Sequence, residues 1–229
     1  IETEERPTIS MRHSLQQSTS GIIAEFKRKS PSKGWIHPEA EVTEIVPAYA
    51  KSGAAAISIL TDEPYFGGQT DYIRNVRPLV DIPILRKDFI IDEYQLFEAR
   101  LIGADAVLLI AADLTIAECR HLAATAHELG LETLLEIHQE KELDYVNEHI
   151  SMLGVNNRNL GTFHTDVNNS FRLAEHLPKE QVLVSESGIS DVATIRQLRA
   201  VGFRGFLIGE TFMKTPTPGL ALKEFIQQI

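Results

Sequence analysis

Apolar residues along this chain fall into short runs, separated by polar loops and by stretches where apolar positions recur every three or four residues. The runs are GIIAEF (21–26), AAAISIL (54–60), IPILRK (82–87), AVLLIA (106–111), ETLLEI (132–137), MLGVNN (152–157), QVLVSE (181–186) and GFLIGE (205–210). Their length and their wealth of Val, Ile and Leu mark them as strands. Between them, DEYQLFEARLIGA (92–104) gathers Leu96, Ala99, Leu101 and Ile102 on one side. TIAECRHLAATAHELG (115–130) does the same with Ile116, Cys119, Leu122, Ala123 and Ala126. DVATIRQLRAVG (191–202) opens on a favourable N-cap, Asp191, and closes at Gly202. The connection 61–81 shows no clear period.

Strands that alternate with helices pair in parallel, because a parallel neighbour requires a long crossover. Near-continuous apolar runs belong to strands covered on both faces. Eight such units across residues 21–229 predict a single-domain α/β fold, a (βα)8 TIM barrel, preceded by a lead-in at residues 1–20. An open doubly wound sheet is the alternative. It usually carries a G-x-G-x-x-G turn after its first strand, where this chain has KRKSPSKG (27–34).

Composition narrows the chemistry. A net charge of −10 argues against binding a nucleic-acid backbone, so an anionic ligand must be met by a local positive cluster. Cys119 is the single cysteine, which rules out an intrachain disulfide and a cysteine metal cage and suits a reducing compartment. The opening IETEERPTIS is acidic without an apolar leader, and no apolar run reaches the ~20 residues of a membrane span. The expectation is a cytoplasmic protein with no membrane or nucleic-acid partner.

In a barrel of this type the site forms where strands end. Six of the eight runs end in polar groups: Glu25 and Lys27, Lys87 and Asp88, Glu136 and His138, Asn156 to Asn159, Ser185 to Gly188, and Gly209 with Glu210. Residues two apart share a strand face, so Glu25 points with Lys27, Glu136 with His138, and Asn156 with Arg158. Each alone fits a rim ion pair or a turn. His138 reads as a hydrogen-bonded rim residue, and Asn157 and Asn159 as caps of the next turn. Together they predict one shared polar pocket. The loops SESGIS (185–190) and GETFMKTPTPG (209–219) follow the seventh and eighth runs, where such barrels commonly hold phosphate. Ser187, Gly188 and Gly209, with Lys27 and Ser30 from the neighbouring first loop, are the candidate anion site. Arg28, Lys29 and Lys33 read as solvent-facing steering charges. No H-x-x-x-H, HExxH or G-x-S-x-G pattern occurs, and no metal is expected.

The segments IIAEFKRKSPSKG, SILTDEPYFGG, ILRKDFIID, GADAVLLIAA, LLEIH, GVNNRNL, SESGIS and FLIGETFM together resemble the indole-3-glycerol phosphate synthase family, in family order and over about residues 7–229. The resemblance implies a carboxy-lyase of tryptophan biosynthesis. Its substrate is 1-(2-carboxyphenylamino)-1-deoxyribulose 5-phosphate, which is closed, decarboxylated and dehydrated to indole-3-glycerol phosphate without cofactor or metal. It implies Lys87 as the acid for ring closure and Glu136 as the carboxylate of later proton transfers. Glu25 and Lys27 would be an active-site pair, with Lys27 on substrate anions. Asn156 and Arg158 would orient the substrate, and Glu186 and Ser187 would line the site. Ser30, Ser187, Gly188, Gly209 and Glu210 would surround the phosphate, and Phe66, Phe89 and Leu108 would flank the anthranilate ring. The family carries an extra helical segment over the barrel mouth, and residues 1–20 are read as its shortened counterpart. The expected partner is one small phosphorylated substrate, bound by a monomer. Other readings stay open: a Schiff-base lyase or aldolase using Lys87, an isomerase of phosphoribosylanthranilate whose acid–base pair would include a cysteine, and a barrel that senses a phosphorylated metabolite without converting it.

Overall fold

A computed structural model describes residues 6–159 and 161–229, so residues 1–5 of the lead-in and Leu160 of the GVNNRNL segment lie outside the description. Eight strands form one closed barrel: β1 Ile22–Phe26, β2 Ala56–Leu60, β3 Ile84–Lys87, β4 Ala106–Ile110, β5 Glu132–Ile137, β6 Met152–Asn156, β7 Val182–Glu186 and β8 Gly205–Ile208. Every neighbouring pair is parallel, and β8 returns to β1 with Ile22 beside Phe206. That closure excludes the open sheet.

The period of two divides the core. Ile23, Ala56, Leu85, Ala106, Leu108, Leu134, Met152, Val184 and Leu207 pack inside the barrel. The alternate residues, such as Ala24, Ile57, Val107, Leu135 and Leu183, pack outward under the helices. Helix Tyr94–Ile102 buries Leu96, Ala99 and Ile102, while Leu101 remains exposed. Helix Ile116–Glu128 starts at a Thr115–Glu118 capping box. Helix Val192–Ala200 starts where the Asp191 carboxylate accepts from the Thr194 N–H at 2.8 Å. The connection 61–81 holds two short helices, Glu63–Phe66 and Asp71–Val76, and a 3-10 turn Arg77–Leu79. Pieces of four and six residues are too short to display a helical period.

The described lead-in lies at the base of the barrel, the end opposite the mouth. Met11 and Leu15 of helix Met11–Gln17 are fully buried with the interior residues. Thr8 Oγ donates to the Gly130 carbonyl, and Ser14 Oγ to that of Ala55. Residues 6–20 thus close the bottom of the barrel and do not cover its mouth. Among the described residues no helix is long and apolar enough to cross a membrane.

Candidate active site

The inward-facing register that fills the barrel turns polar as each strand reaches its C-terminal end. Ile23 is followed on its face by Glu25 and Lys27, Leu85 by Lys87, Leu134 by Glu136, Val184 by Glu186 and Leu207 by Gly209. Strands that lie far apart in the chain thereby deliver their charges to one opening, a cavity of about 420 Å³.

At its floor the Lys87 ammonium sits among three carboxylates. It donates to Glu186 Oε2 at 2.9 Å and lies 3.7 Å from Glu25 Oε2 and 4.0 Å from Glu136 Oε2. Lys27 Nζ pairs with Glu25 Oε1 at 2.6 Å. All three carboxylates are buried, so their protonation follows desolvation and partner charge. For Lys87, burial opposes the charge, but Glu186, Glu25 and Glu136 outweigh it and raise its pKa. For Glu25, burial is overcome by Lys27 and Lys87, and its carboxyl is held below the usual range. Burial dominates at Glu136 and raises its pKa despite Lys87. It also raises Glu186, to about 7, with Glu136 adding to the shift. The cluster therefore contains a firmly charged ammonium, a firmly charged carboxylate, and two carboxylates poised to take a proton. A nucleophilic lysine would need a lowered pKa, so the direction at Lys87 disfavours Schiff-base chemistry.

The walls differ on either side of Lys87. Leu60, Phe66, Phe89, Leu108 and Ile110, from β2 to β4 and their loops, form an apolar face. Phe66 and Phe89 have ring centroids 6.2 Å apart. Opposite, Ser187, Gly188, Gly209, Glu210 and Lys214 from the β7 and β8 loops meet Lys27, Lys33 and Arg158. Helix Glu210–Met213 opens there with Gly209 at its N-cap. Ser187 holds a left-handed φ of +69°, unusual for a residue with a side chain, and Asn157 Nδ2 donates to its carbonyl at 3.0 Å.

Of the residues named from sequence, Glu25, Lys27, Phe66, Lys87, Phe89, Leu108, Glu136, Asn156, Arg158, Ser187, Gly188, Gly209 and Glu210 all line this cavity. Glu186 lies just beneath it, fully buried, reaching it through Lys87. Ser30 is not among the residues that line it: it is buried in the small ribbon Lys29–Ser30 and Gly34–Trp35, its hydroxyl without a hydrogen-bond partner among the described residues. Asn157 is no turn cap but a buried strut: its Oδ1 accepts from the Ser170 N–H and hydroxyl, while Nδ2 donates to Ser185 Oγ. Asn159 does cap its turn, accepting from the Gly161 and Thr162 N–H groups. Arg28 and Lys29 are not free steering charges. Arg28 donates to the Tyr72 hydroxyl and the Pro38 carbonyl, Lys29 donates to the Pro64 carbonyl, and both lie over the Trp35 ring. Cys119 is buried in its helix away from the mouth, its thiol pushed up to about 11 by burial, which removes it as a partner in acid–base chemistry.

The reading from sequence missed Lys214, Phe163 and Gly154. Lys214 had a signal, standing four residues after Glu210 at a helix end. Gly154 had one too, as a glycine inside an apolar strand: a Cβ there would stand 2.3 Å from Glu186 Oε1. Phe163 lines the cavity from an irregular loop and had none.

The family described as indole-3-glycerol phosphate synthase matches residues 2–225. Relatives bearing that name in Bacteroides thetaiotaomicron and Magnetococcus marinus are 66% and 44% identical over 220 and 228 residues, each alignment covering 96% of this chain and 85% of the relative. Among solved structures, tryptophan synthase subunit alpha from Legionella pneumophila matches with a TM-score of 0.67 at 14% identity, over 96% of this chain and 98% of that one. A chain of the tryptophan synthase complex from Pyrococcus furiosus matches at 0.64 and 14%, over 91% and 96%. At that identity the likeness shows the barrel alone.

Proposed function

The chain belongs to the indole-3-glycerol phosphate synthase family, carboxy-lyases of tryptophan biosynthesis, and on that premise we propose that the groups around Lys87 divide the family's reaction among them. The aromatic ring of the substrate rests on the face made by Phe66, Phe89 and Leu108. The phosphate rests against Ser187, Gly188 and the Gly209–Glu210 turn, where the first N–H groups of a helix have no carbonyl partner within it. Lys27 and Arg158 offset the substrate's negative charge, and Asn156 orients it.

Held this way, the carboxyl-bearing ring carbon attacks the ribulose carbonyl. As the new carbon–carbon bond forms, the carbonyl oxygen gains charge and takes a proton from the Lys87 ammonium. The bond to the carboxylate then breaks, its electron pair restores the aromatic ring, and carbon dioxide leaves. Dehydration follows: Glu136 removes a proton from the carbon beside nitrogen while the newly made hydroxyl leaves, protonated, as water. Phosphate anchoring far from the reacting carbons turns binding energy into orientation. The reading includes a cytoplasmic monomer that uses no cofactor: every group named comes from one chain, and the lone thiol of Cys119 calls for no oxidising compartment. Light scattering on the purified protein tests the monomer.

The observation that carries these roles is the placement of one raised-pKa ammonium between an aromatic wall and a phosphate-type loop pair. Lys87→Met is expected to lower kcat by ~10²-fold or more, the worth of a positioned acid, with little change in inorganic phosphate affinity. Indole fluorescence during turnover measures the first and calorimetry the second. A variant retaining most of kcat refutes the acid assignment.

A further inference from the structure

His138 is not part of the machinery described above, yet its surroundings are unusual. Its side chain is 14% exposed, and both ring nitrogens are buried with no hydrogen-bond partner. Nε2 is 3.4 Å from Glu136 Oε1, and Nδ1 is 3.8 Å from Glu142 Oε2. Glu136 lines the mouth. Glu142, with Gln139 and Tyr145, lines a second hollow beside the β4 and β5 loops. The imidazole thus stands in the wall between two openings, with a carboxylate at each face. Glu142 is itself fixed, accepting from the His138 and Gln139 N–H groups and the Gln139 side-chain amide.

The reaction gives such a route a use. Ring closure puts one proton on the carbonyl oxygen, dehydration puts a second on the leaving hydroxyl, and one is recovered from carbon. One proton is consumed per turnover, matching the carboxylate charge lost as neutral carbon dioxide. Once substrate fills the mouth, Lys87 and its carboxylates lie beneath it, and a path through the wall returns the proton without waiting for the product to leave.

We infer that His138 is a proton-relay residue, passing a proton from water in the second hollow, by way of Glu142, to Glu136 and so to Lys87. The relay rests on Glu136 being the carboxylate that handles the proton. A neutral imidazole suits it, carrying one N–H and one lone pair, so that it accepts at Nδ1 as it donates at Nε2. Burial lowers the pKa of His138 and favours that form. Glu142, Glu186 and Asp113 act in the opposite sense, and Lys87 acts with burial. Glu136, raised by burial, readily receives what is passed. Because the ring reaches the chemistry through Glu136, His138 acts as a positioning and relay group and not as a catalytic residue.

His138→Gln keeps the size of the side chain and removes the relay. A fall in kcat of about tenfold or more is expected, within the range of acid–base contributions, with KM within about twofold. His138→Ala is expected to fall likewise and to be restored by added imidazole, which should leave the wild-type enzyme unaffected. Unchanged kcat in the two variants overturns the relay. So does a loss that imidazole fails to restore, which would mark His138 as structural. Glu136→Gln, measured alongside, separates the relay from its premise. If Glu136→Gln turns over normally, the role of Glu136 fails; if it is inactive while the His138 variants are normal, only the relay fails.

Discussion

At the scale of single residues, the mouth works by crowding more negative than positive charge into a space that water barely reaches. Glu25 and Lys27 form a tight pair at 2.6 Å, and Lys87 is shared among Glu186, Glu25 and Glu136. Two ammonium groups cannot hold three buried carboxylates fully ionised, and Glu186 yields, its pKa rising to about 7. The folded protein therefore binds this proton more tightly than the unfolded chain. The stability it contributes is fully present below the ordinary value of 4.5 and is lost as pH rises through about 7. Glu186→Gln removes that dependence. Between pH 4 and pH 8 the stability of the wild-type protein should fall relative to the variant by up to about 3 kcal/mol, since each pKa unit is worth ~1.4 kcal/mol. Urea unfolding of both proteins across that range checks it, and parallel curves would place the shared proton elsewhere.

At the scale of elements, strands must leave room for these side chains. Gly209, at the end of β8, faces Glu25: a Cβ there would stand 2.4 Å from Glu25 Oε1. Gly154 in β6 does the same for Glu186, and Leu134 Cδ1 closes its other side at 3.2 Å. These glycines serve close approach between neighbouring strands, which an apolar pattern does not announce. Gly154→Ala should displace the Glu186 carboxylate from its 2.9 Å bond to Lys87. Overpacking of this kind costs about 1–3 kcal/mol, and kcat should fall on the order of tenfold as the acid loses its partner, an effect of ~1.4 kcal/mol on the barrier. Thermal melting and steady-state kinetics read the two effects. Normal kcat in a destabilised variant would mean that Lys87 does not depend on Glu186.

At the scale of the whole molecule, the barrel separates its two ends by task. The mouth collects charge for chemistry, and the base collects it for cohesion. Asp105, 1% exposed, accepts from Arg6 Nη2 at 2.7 Å, Arg77 Nη1 at 2.6 Å and the N–H groups of Ile9 and Ile84 at 2.9 and 2.8 Å. It ties the lead-in and the β2–β3 connection to the start of β4. Removing it strands two guanidinium groups, and breaking a buried pair costs about 3–5 kcal/mol. Asp105→Ala should lower Tm by roughly 10 °C for a domain of this size and leave kcat at 25 °C unchanged, because neither Asp105 nor any of its four partners lines the cavity. Calorimetry and the fluorescence assay decide the matter. A large loss of kcat in the folded variant would contradict the separation of the two ends.

What the sequence by itself determined was the number and direction of the strands and the face each residue takes. A period of two and a period near 3.6 are local properties, so Glu25, Lys87, Glu136 and Asn156 could be placed on the inner face, and Asp191 at a helix start, before any contact was known. Distances between strands carry no such period. Only the closed barrel decided that Lys87 sits among three carboxylates and that His138 stands between two hollows. Only the folded loops, which follow no repeat, buried Ser30 in a small ribbon while bringing Lys214 and Phe163 to the mouth. Those outcomes depend on how separate parts of the chain pack, and packing is settled by the whole surface buried rather than by any stretch of it.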